Sequence, residues 1–118
     1  MTRINAGIPP KQLSRQHLIA EHREIVRIPN TIKSGKAVIQ DIPAQFTLGK
    51  GHVKFFYNKL KFLHIRYDAL YKECIARGYN MTWFGEAFQD LPPELYKDYK
   101  PTAEAKALIK QRIIERGG

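Results

Sequence analysis

The start of the chain, Met1-Thr2-Arg3, offers a nucleophile for covalent chemistry. The small side chain of Thr2 permits removal of Met1, which would leave a free α-amine on Thr2. Free α-amines have an ordinary pKa of about 7.7–8.0, far below that of lysine, so part of the population is neutral near pH 7. Neutral amines attack electrophilic carbons and form Schiff bases. The first residues therefore predict an amine nucleophile, on the condition that Met1 is removed.

A polar stripe on a predicted helix follows later in the chain. At 100° per residue, one arc of about 100° holds Gln16, Ala20, Arg23, Glu24 and Arg27. The small side chain of Ala20 leaves room for a close approach. Arg23 and Arg27 lie one turn apart and can face the same phosphate or carboxylate, with Glu24 beside them. The alternative is a solvated face with an ordinary Glu–Arg pair.

The charge of the chain favours a polyanionic partner. The formal net charge is +9 over 118 residues. The excess lies in residues 1–36 and 50–80, whereas acidic and basic residues balance in residues 81–118. A positive surface attracts nucleic acids and speeds their encounter with the protein. The alternative is that the charge serves solubility alone.

Composition limits the class of protein. With 43% hydrophobic and 26% charged residues, we expect residues 1–118 to form a single folded domain. No apolar run approaches the length of a membrane span, and the N-terminus has no signal core. Cys74 is the only cysteine, which excludes an internal disulfide and is typical of a reducing cytoplasm. We expect a cytoplasmic monomer.

Periodicity predicts the elements that must position these groups. We predict a first helix over residues 11–28, ended by Pro29, then a short turn to Ser34-Gly35. Apolar residues alternate at spacings of three and four over residues 52–77, which predicts one long helix capped by Gly78. That apolar seam consists of Val53, Phe56, Leu60, Leu63, Tyr67, Leu70 and Cys74. Phe56, and with it the neighbouring aromatics, is expected in the core rather than on a DNA surface.

The other segments complete an all-α prediction. Residues 37–51 lack a clear period and are expected to be loop, and residues 79–100 are aromatic and irregular. Trp83-Phe84 in this segment either inserts into a base stack or packs on the core. Thr102 can cap a last helix that runs to about Arg116. No segment has the period of a strand, so we predict three main helices with long irregular connections.

Several ordered blocks resemble the phage pyrimidine-dimer DNA glycosylase family, of the T-even phage endonuclease V type. The first blocks are Met1-Thr2-Arg3-Ile4-Asn5, Gln16-His17-Leu18 and Ala20-Glu21-His22-Arg23-Glu24. Further blocks are Leu48-Gly49-Lys50-Gly51-His52-Val53, Phe55-Phe56-Tyr57-Asn58-Lys59-Leu60, Phe62-Leu63, Glu73-Cys74 and Arg77-Gly78-Tyr79-Asn80. The resemblance weakens after these blocks but persists at Leu91-Pro92 and Asp98-Tyr99.

The resemblance implies a compact all-α enzyme that acts on damaged DNA. By motif position, the Thr2 amine would attack the sugar carbon of a damaged nucleotide, and Glu24 would assist β-elimination at the abasic site. Arg3, Arg23 and Arg27 would hold phosphates around the lesion. Gln16 would also touch the DNA.

The expected substrate is double-stranded DNA that carries a pyrimidine dimer, another modified base or an abasic site. No cofactor and no metal are expected, since the four histidines have no metal-ligand spacing with Cys74. If the protein is phage-encoded, it would act in the host-cell cytoplasm. Two alternatives stay open: a non-catalytic DNA-binding module that keeps the family fold, and a nuclease of another chemistry, such as a metal-dependent one.

Overall fold

The computed structural model describes residues 4–35, 37, 39–47 and 51–115, and these residues form helices and connections without strands. The α-helices are α1 (Arg15–Glu24), α2 (Arg27–Lys33), α3 (His52–Phe55), α4 (Leu60–Ala76) and α5 (Ala103–Glu115). Single 3₁₀ turns lie at Pro10–Gln12, Gly85–Phe88 and Pro93–Leu95. The all-α prediction with three main helices is confirmed by α1, α4 and α5.

Helix α1 begins later than predicted because Ser14 caps it. The Ser14 hydroxyl accepts a hydrogen bond from the His17 backbone N–H, which satisfies a donor that the first turn leaves unpaired. The prediction of one helix over residues 11–28 that Pro29 ends was wrong, because α1 ends at Glu24 and α2 runs through Pro29. Pro29 is the third residue of α2, where its missing N–H has no helical acceptor to lose.

The predicted long helix over residues 52–77 is two helices. Tight turns at residues 56–58 separate α3 from α4. The apolar seam survives this break, because six of its seven residues are buried and Val53 packs partly buried against them. Gly78 has a φ of 83°, and the Tyr79 N–H bonds to the Cys74 carbonyl. This is the predicted glycine cap.

One apolar core joins the N-terminal segment to the main helices. Helices α1 and α4 pack against each other, and the seam of α4 lies at the centre of the core. Helix α5 adds Ile109 and Ile113, and its first turn is capped as predicted, since the Thr102 hydroxyl accepts from the Ala105 N–H at 3.0 Å. None of the helices described is long and apolar enough to span a membrane.

Candidate active site

A buried polar cluster attaches the N-terminal segment to α1. Glu21 is 2% exposed and accepts three hydrogen bonds. Arg66 on α4 donates two of them, at 2.7 and 2.9 Å, and the Asn5 amide donates the third at 2.9 Å. Arg66 also donates to the Ile8 carbonyl. The buried carboxylate is thus neutralised and hydrogen-bonded, which is the condition for burying a charge without a large cost.

Three elements besides α1 hold the same N-terminal segment. The Ile4 N–H donates to the His52 Nε2 atom of α3 at 3.0 Å. The side-chain Oδ1 atom of Asn5 accepts from the Arg112 guanidinium of α5 at 3.3 Å. Helix α4 holds Ile8 through Arg66, as described above. Residues 4–8 are therefore fixed against α1, α3, α4 and α5, with Asn5 beside the last turn of α1.

Glu24 lies one turn beyond Glu21 and has a different environment. Its side chain is 14% exposed, and its carboxylate faces the Arg23 guanidinium at 3.7 Å. That distance gives charge attraction but is too long for a hydrogen bond. No other hydrogen bond or ion pair to Glu24 occurs among the described residues. This carboxylate is largely shielded from water, yet it keeps its capacity to accept protons and hydrogen bonds.

The predicted DNA-contacting side chains of α1 and α2 are exposed. The Arg23 side chain is 65% exposed, and Gln16 and Arg27 are also exposed. Arg27 begins α2, so the helical arc predicted for one continuous helix crosses the turn at Ile25 and Val26. The structure therefore brings Arg23 and Glu24 into contact and leaves Gln16 and Arg27 free to meet solvent. Thr2 and Arg3 lie outside the described residues.

An aromatic cluster covers the inner side of α1. His22 is 1% exposed and its ring lies against Tyr67, Tyr71 and Phe84. The Tyr67 hydroxyl accepts from the Phe84 N–H at 2.6 Å and shares a hydrogen bond of 3.1 Å with the His22 Nε2 atom. Burial lowers the pKa of His22, because it disfavours the charged ring.

The irregular segment after α4 presents a partly exposed aromatic pair. Trp83 packs on Tyr67 and Tyr71 and is 41% exposed. Phe84 is 42% exposed and also touches His22. Gly85 is required here because a Cβ atom at this position would overlap the Trp83 ring. Trp83 and Phe84 therefore each pack one face of the ring on the core.

The lysines of the basic segment have different environments. Lys59 lies 3.9 Å from the centre of the Phe55 ring and donates to the Phe55 carbonyl. Burial, helped by the charge of Lys97, lowers the pKa of Lys59. Its ammonium group is thus held within the protein, whereas Lys61 is exposed. Phe55 and Phe56 are buried in the core, as predicted.

Metal chemistry has no candidate centre in the part of the chain that the structure describes. No group of three or more histidine, cysteine or acidic side chains is placed there to hold an ion. Cys74 is buried in the seam, and burial raises the pKa of its thiol.

Most of the chain matches the sequence pattern of a known protein family. A family model described as pyrimidine dimer DNA glycosylase matches residues 1–84. The chain belongs to this family. The match includes all of α1, α2, α3 and α4, and with them Glu21, Glu24 and the basic residues of α1. The family consists of DNA repair glycosylases, so the substrate of the protein is DNA.

The sequence pattern indicates the polar stripe of α1 but not the buried polar cluster of Glu21, Arg66 and Asn5. Glu21 and Arg66 are 45 residues apart, and Arg66 reads as one more cation in a basic segment. Arg66 does follow Leu63 by three residues, and Tyr67 and Leu70 follow it, so it lies beside the apolar seam. A cation at such a position signals a buried ion pair, but the signal does not identify the partner.

Proposed function

We propose that this protein removes a damaged base from duplex DNA and then cuts the strand at the abasic site. The reaction would run through an imine between the α-amine of Thr2 and the sugar. The observation that supports this most is the hydrogen bond from Asn5 to Glu21, since it attaches the start of the chain one turn from Glu24. A nucleophile at the chain start and a proton-accepting carboxylate would then share one site.

The chemistry proceeds in balanced steps. The neutral amine attacks C1′ of the damaged nucleotide, and the C1′–N bond to the base breaks as the base leaves with the electron pair. The attached amine passes one proton, through Glu24, to O4′ as the C1′–O4′ bond breaks, which opens the sugar ring and gives a protonated imine at C1′; the departed base takes its proton from water. Loss of a proton from C2′ then expels the 3′ phosphate by β-elimination. Water finally hydrolyses the imine and releases the enzyme.

Glu24 is suited to the proton transfers in this sequence. A general base needs spare acceptor capacity, and Glu24 has only Arg23 at 3.7 Å among the described residues. Its negative charge also stabilises a cationic imine in a site that excludes much of the water. Glu21 is less suited, because its carboxylate already accepts three hydrogen bonds and is paired with Arg66.

The arginines are suited to hold the DNA backbone. Arg23 and Arg27 are exposed cations at the junction of α1 and α2, and guanidinium groups bind phosphates through paired hydrogen bonds. Arg3 and Gln16 would extend this contact. The partner is double-stranded DNA with a pyrimidine dimer, another modified base or an abasic site, and the protein would act as a monomer without a cofactor.

The test uses two duplexes, one with a single thymine dimer and one with a single abasic site, each with and without EDTA. We expect strand cleavage of both and, with sodium borohydride, a covalent protein–DNA complex. Binding without cleavage or trapping would instead favour a non-catalytic DNA-binding module. Cleavage that EDTA abolishes would favour a metal-dependent nuclease.

A further inference from the structure

His52 connects the N-terminal segment to the loop that precedes α3. Its ring is 2% exposed and is bonded at both nitrogens. The Nε2 atom receives the Ile4 N–H at 3.0 Å, and the Nδ1 atom lies 2.9 Å from the Thr47 carbonyl oxygen. The bond to Ile4 joins residues 48 positions apart, so it is a tertiary contact that local propensity does not require.

The partners fix the protonation of the ring. A backbone N–H can only donate, so Nε2 must offer its lone pair to Ile4. A carbonyl oxygen can only accept, so Nδ1 must carry the proton and donate it to Thr47. His52 is therefore a neutral imidazole with its proton on Nδ1, and no protonated form can keep the bond to Ile4.

Aromatic rings hold the imidazole in place. Phe46 and Phe56 meet it edge-on, with ring centres 5.4 Å away in both cases. Gly51, immediately before His52, has a φ of 88°, a conformation that glycine adopts at little cost. The aromatic packing thus holds the ring in place as an acceptor for Ile4.

We propose that His52 is a positioning residue that sets where the amine of Thr2 can act. The inference rests on the function proposed above. Two residues of chain span at most about 7 Å, so fixing the Ile4 nitrogen limits how far a Thr2 amine can range. Near-attack geometry is demanding, and a misplacement of about 1 Å costs about 100-fold in rate. His52 acts through the backbone and does not touch the substrate.

Two substitutions each remove one of the two hydrogen bonds of the His52 ring and keep the other. His52→Asn keeps a donor near the position of Nδ1 for Thr47 and removes the acceptor for Ile4. His52→Gln places an acceptor near the position of Nε2 for Ile4 and removes the donor for Thr47. Both replace the ring by an amide in the core, so a merely structural role predicts similar damage from both.

The experiment measures single-turnover borohydride trapping on an abasic duplex, with DNA affinity and thermal unfolding as parallel readouts. We expect His52→Asn to slow trapping by about 10- to 100-fold with DNA affinity within about twofold of the original. We expect His52→Gln to keep most of the rate. Amide hydrogen exchange at Ile4 should be fast in His52→Asn and slow in His52→Gln.

Other outcomes would contradict the inference in distinguishable ways. If His52→Asn traps DNA at the original rate while its Ile4 amide exchanges fast, the inference is overturned and the proposed function stands. Equal slowing in both variants also overturns it, since stability would then be the cause. If the unsubstituted protein traps no DNA, the proposed function fails and the inference fails with it. If His52→Asn does not fold, slow trapping by a folded His52→Gln overturns the inference.

Discussion

Glu21 and Glu24 lie one turn apart on α1, yet Glu21 accepts three hydrogen bonds and Glu24 accepts none among the described residues. Arg66 and Asn5 donate the three bonds to Glu21, whereas Glu24 faces Arg23 at 3.7 Å. Glu21 therefore holds the N-terminal segment. We propose that Glu24 carries out the proton transfers of the reaction.

Glu24→Gln should abolish most strand cleavage without unfolding the protein. The amide cannot accept a proton, and general acid–base catalysis contributes about 10²- to 10⁴-fold. We expect a loss in that range at an abasic site, measured by single-turnover cleavage. Duplex affinity should remain close to the original. Glu94→Gln is the matched control, because Glu94 is exposed in a distant 3₁₀ turn, and a similar loss there would contradict the role of Glu24.

Arg66→Met should destabilise the protein strongly. The substitution leaves Glu21 buried and negatively charged without its cation, which costs about 3–5 kcal/mol in the free energy of unfolding. Urea unfolding measures this value. Adding Glu21→Gln to Arg66→Met should recover part of the loss, because the buried charge is then removed.

The control for this pair is an exposed one on the same helix. Lys72 and Asp68 are 2.8 Å apart with side chains 74% and 44% exposed. Lys72→Met should change the free energy of unfolding by less than about 1 kcal/mol. If both substitutions cost the same, burial of the Glu21–Arg66 pair does not matter as described.

Arg23→Ala and Arg27→Ala should each weaken duplex binding and its salt dependence. A cation that neutralises one phosphate adds about 0.9 to the slope of log affinity against log salt. We expect each substitution to lower the slope by about 1, measured by fluorescence anisotropy over a range of salt concentrations. Lys72→Ala, whose cation is already paired with Asp68, should leave the slope unchanged. An unchanged slope in both arginine variants would remove them from the DNA contact.

Stability should fall as the pH drops below 6.5, in part because of His22. Burial lowers the pKa of His22 in the folded protein, so the unfolded chain binds a proton first as the pH falls. The unfolded state then binds more protons, and the free energy of unfolding decreases from about pH 6.5 down to the folded pKa of His22.

Urea unfolding at pH 7.5 and 5.5 measures this effect, with His22→Gln as the comparison. The variant is less stable at both pH values, but its loss between them should be smaller than that of the original protein. His17, His52 and His64 are present in both proteins and cancel in the comparison. An identical loss in both proteins would show that His22 does not contribute.

Gly85→Ala should disturb Trp83, which is the only tryptophan of the chain. The added methyl group overlaps the indole ring, and such overpacking costs about 1–3 kcal/mol. We expect a red shift of the tryptophan emission as the ring is displaced into water. Glu86→Ala, an exposed position in the same turn, should leave the emission unchanged. An unshifted emission in Gly85→Ala would mean that Trp83 does not pack over Gly85.

Local patterns in the sequence predicted much of the fold. The seam from Val53 to Cys74, the cap at Gly78 and the cap at Thr102 each depend on residues within a few positions of one another. The break between α3 and α4 was missed, because the apolar spacing continues through it. The effect of Pro29 was predicted wrongly. The free-energy cost of a proline depends on its position in the helix, and the sequence alone did not give the bounds of that helix.

Only part of the candidate site could be predicted from the sequence. Helical periodicity places Arg23 and Glu24 on one surface, and the structure confirms their contact. The tertiary partners that fix the N-terminal segment are Arg66, His52 and Arg112, at separations of 48 to 107 residues. Such pairs are determined by the packing of α3, α4 and α5, so local spacing carries no information about them.

The central claim is that the amine of Thr2 forms the bond to DNA. The most direct measurement is peptide mass spectrometry of the borohydride-reduced complex formed with an abasic duplex. We expect that Met1 is absent and that the reduced sugar is attached to the α-nitrogen of Thr2. Attachment to a lysine side chain, or trapping by a protein that retains Met1, would contradict it.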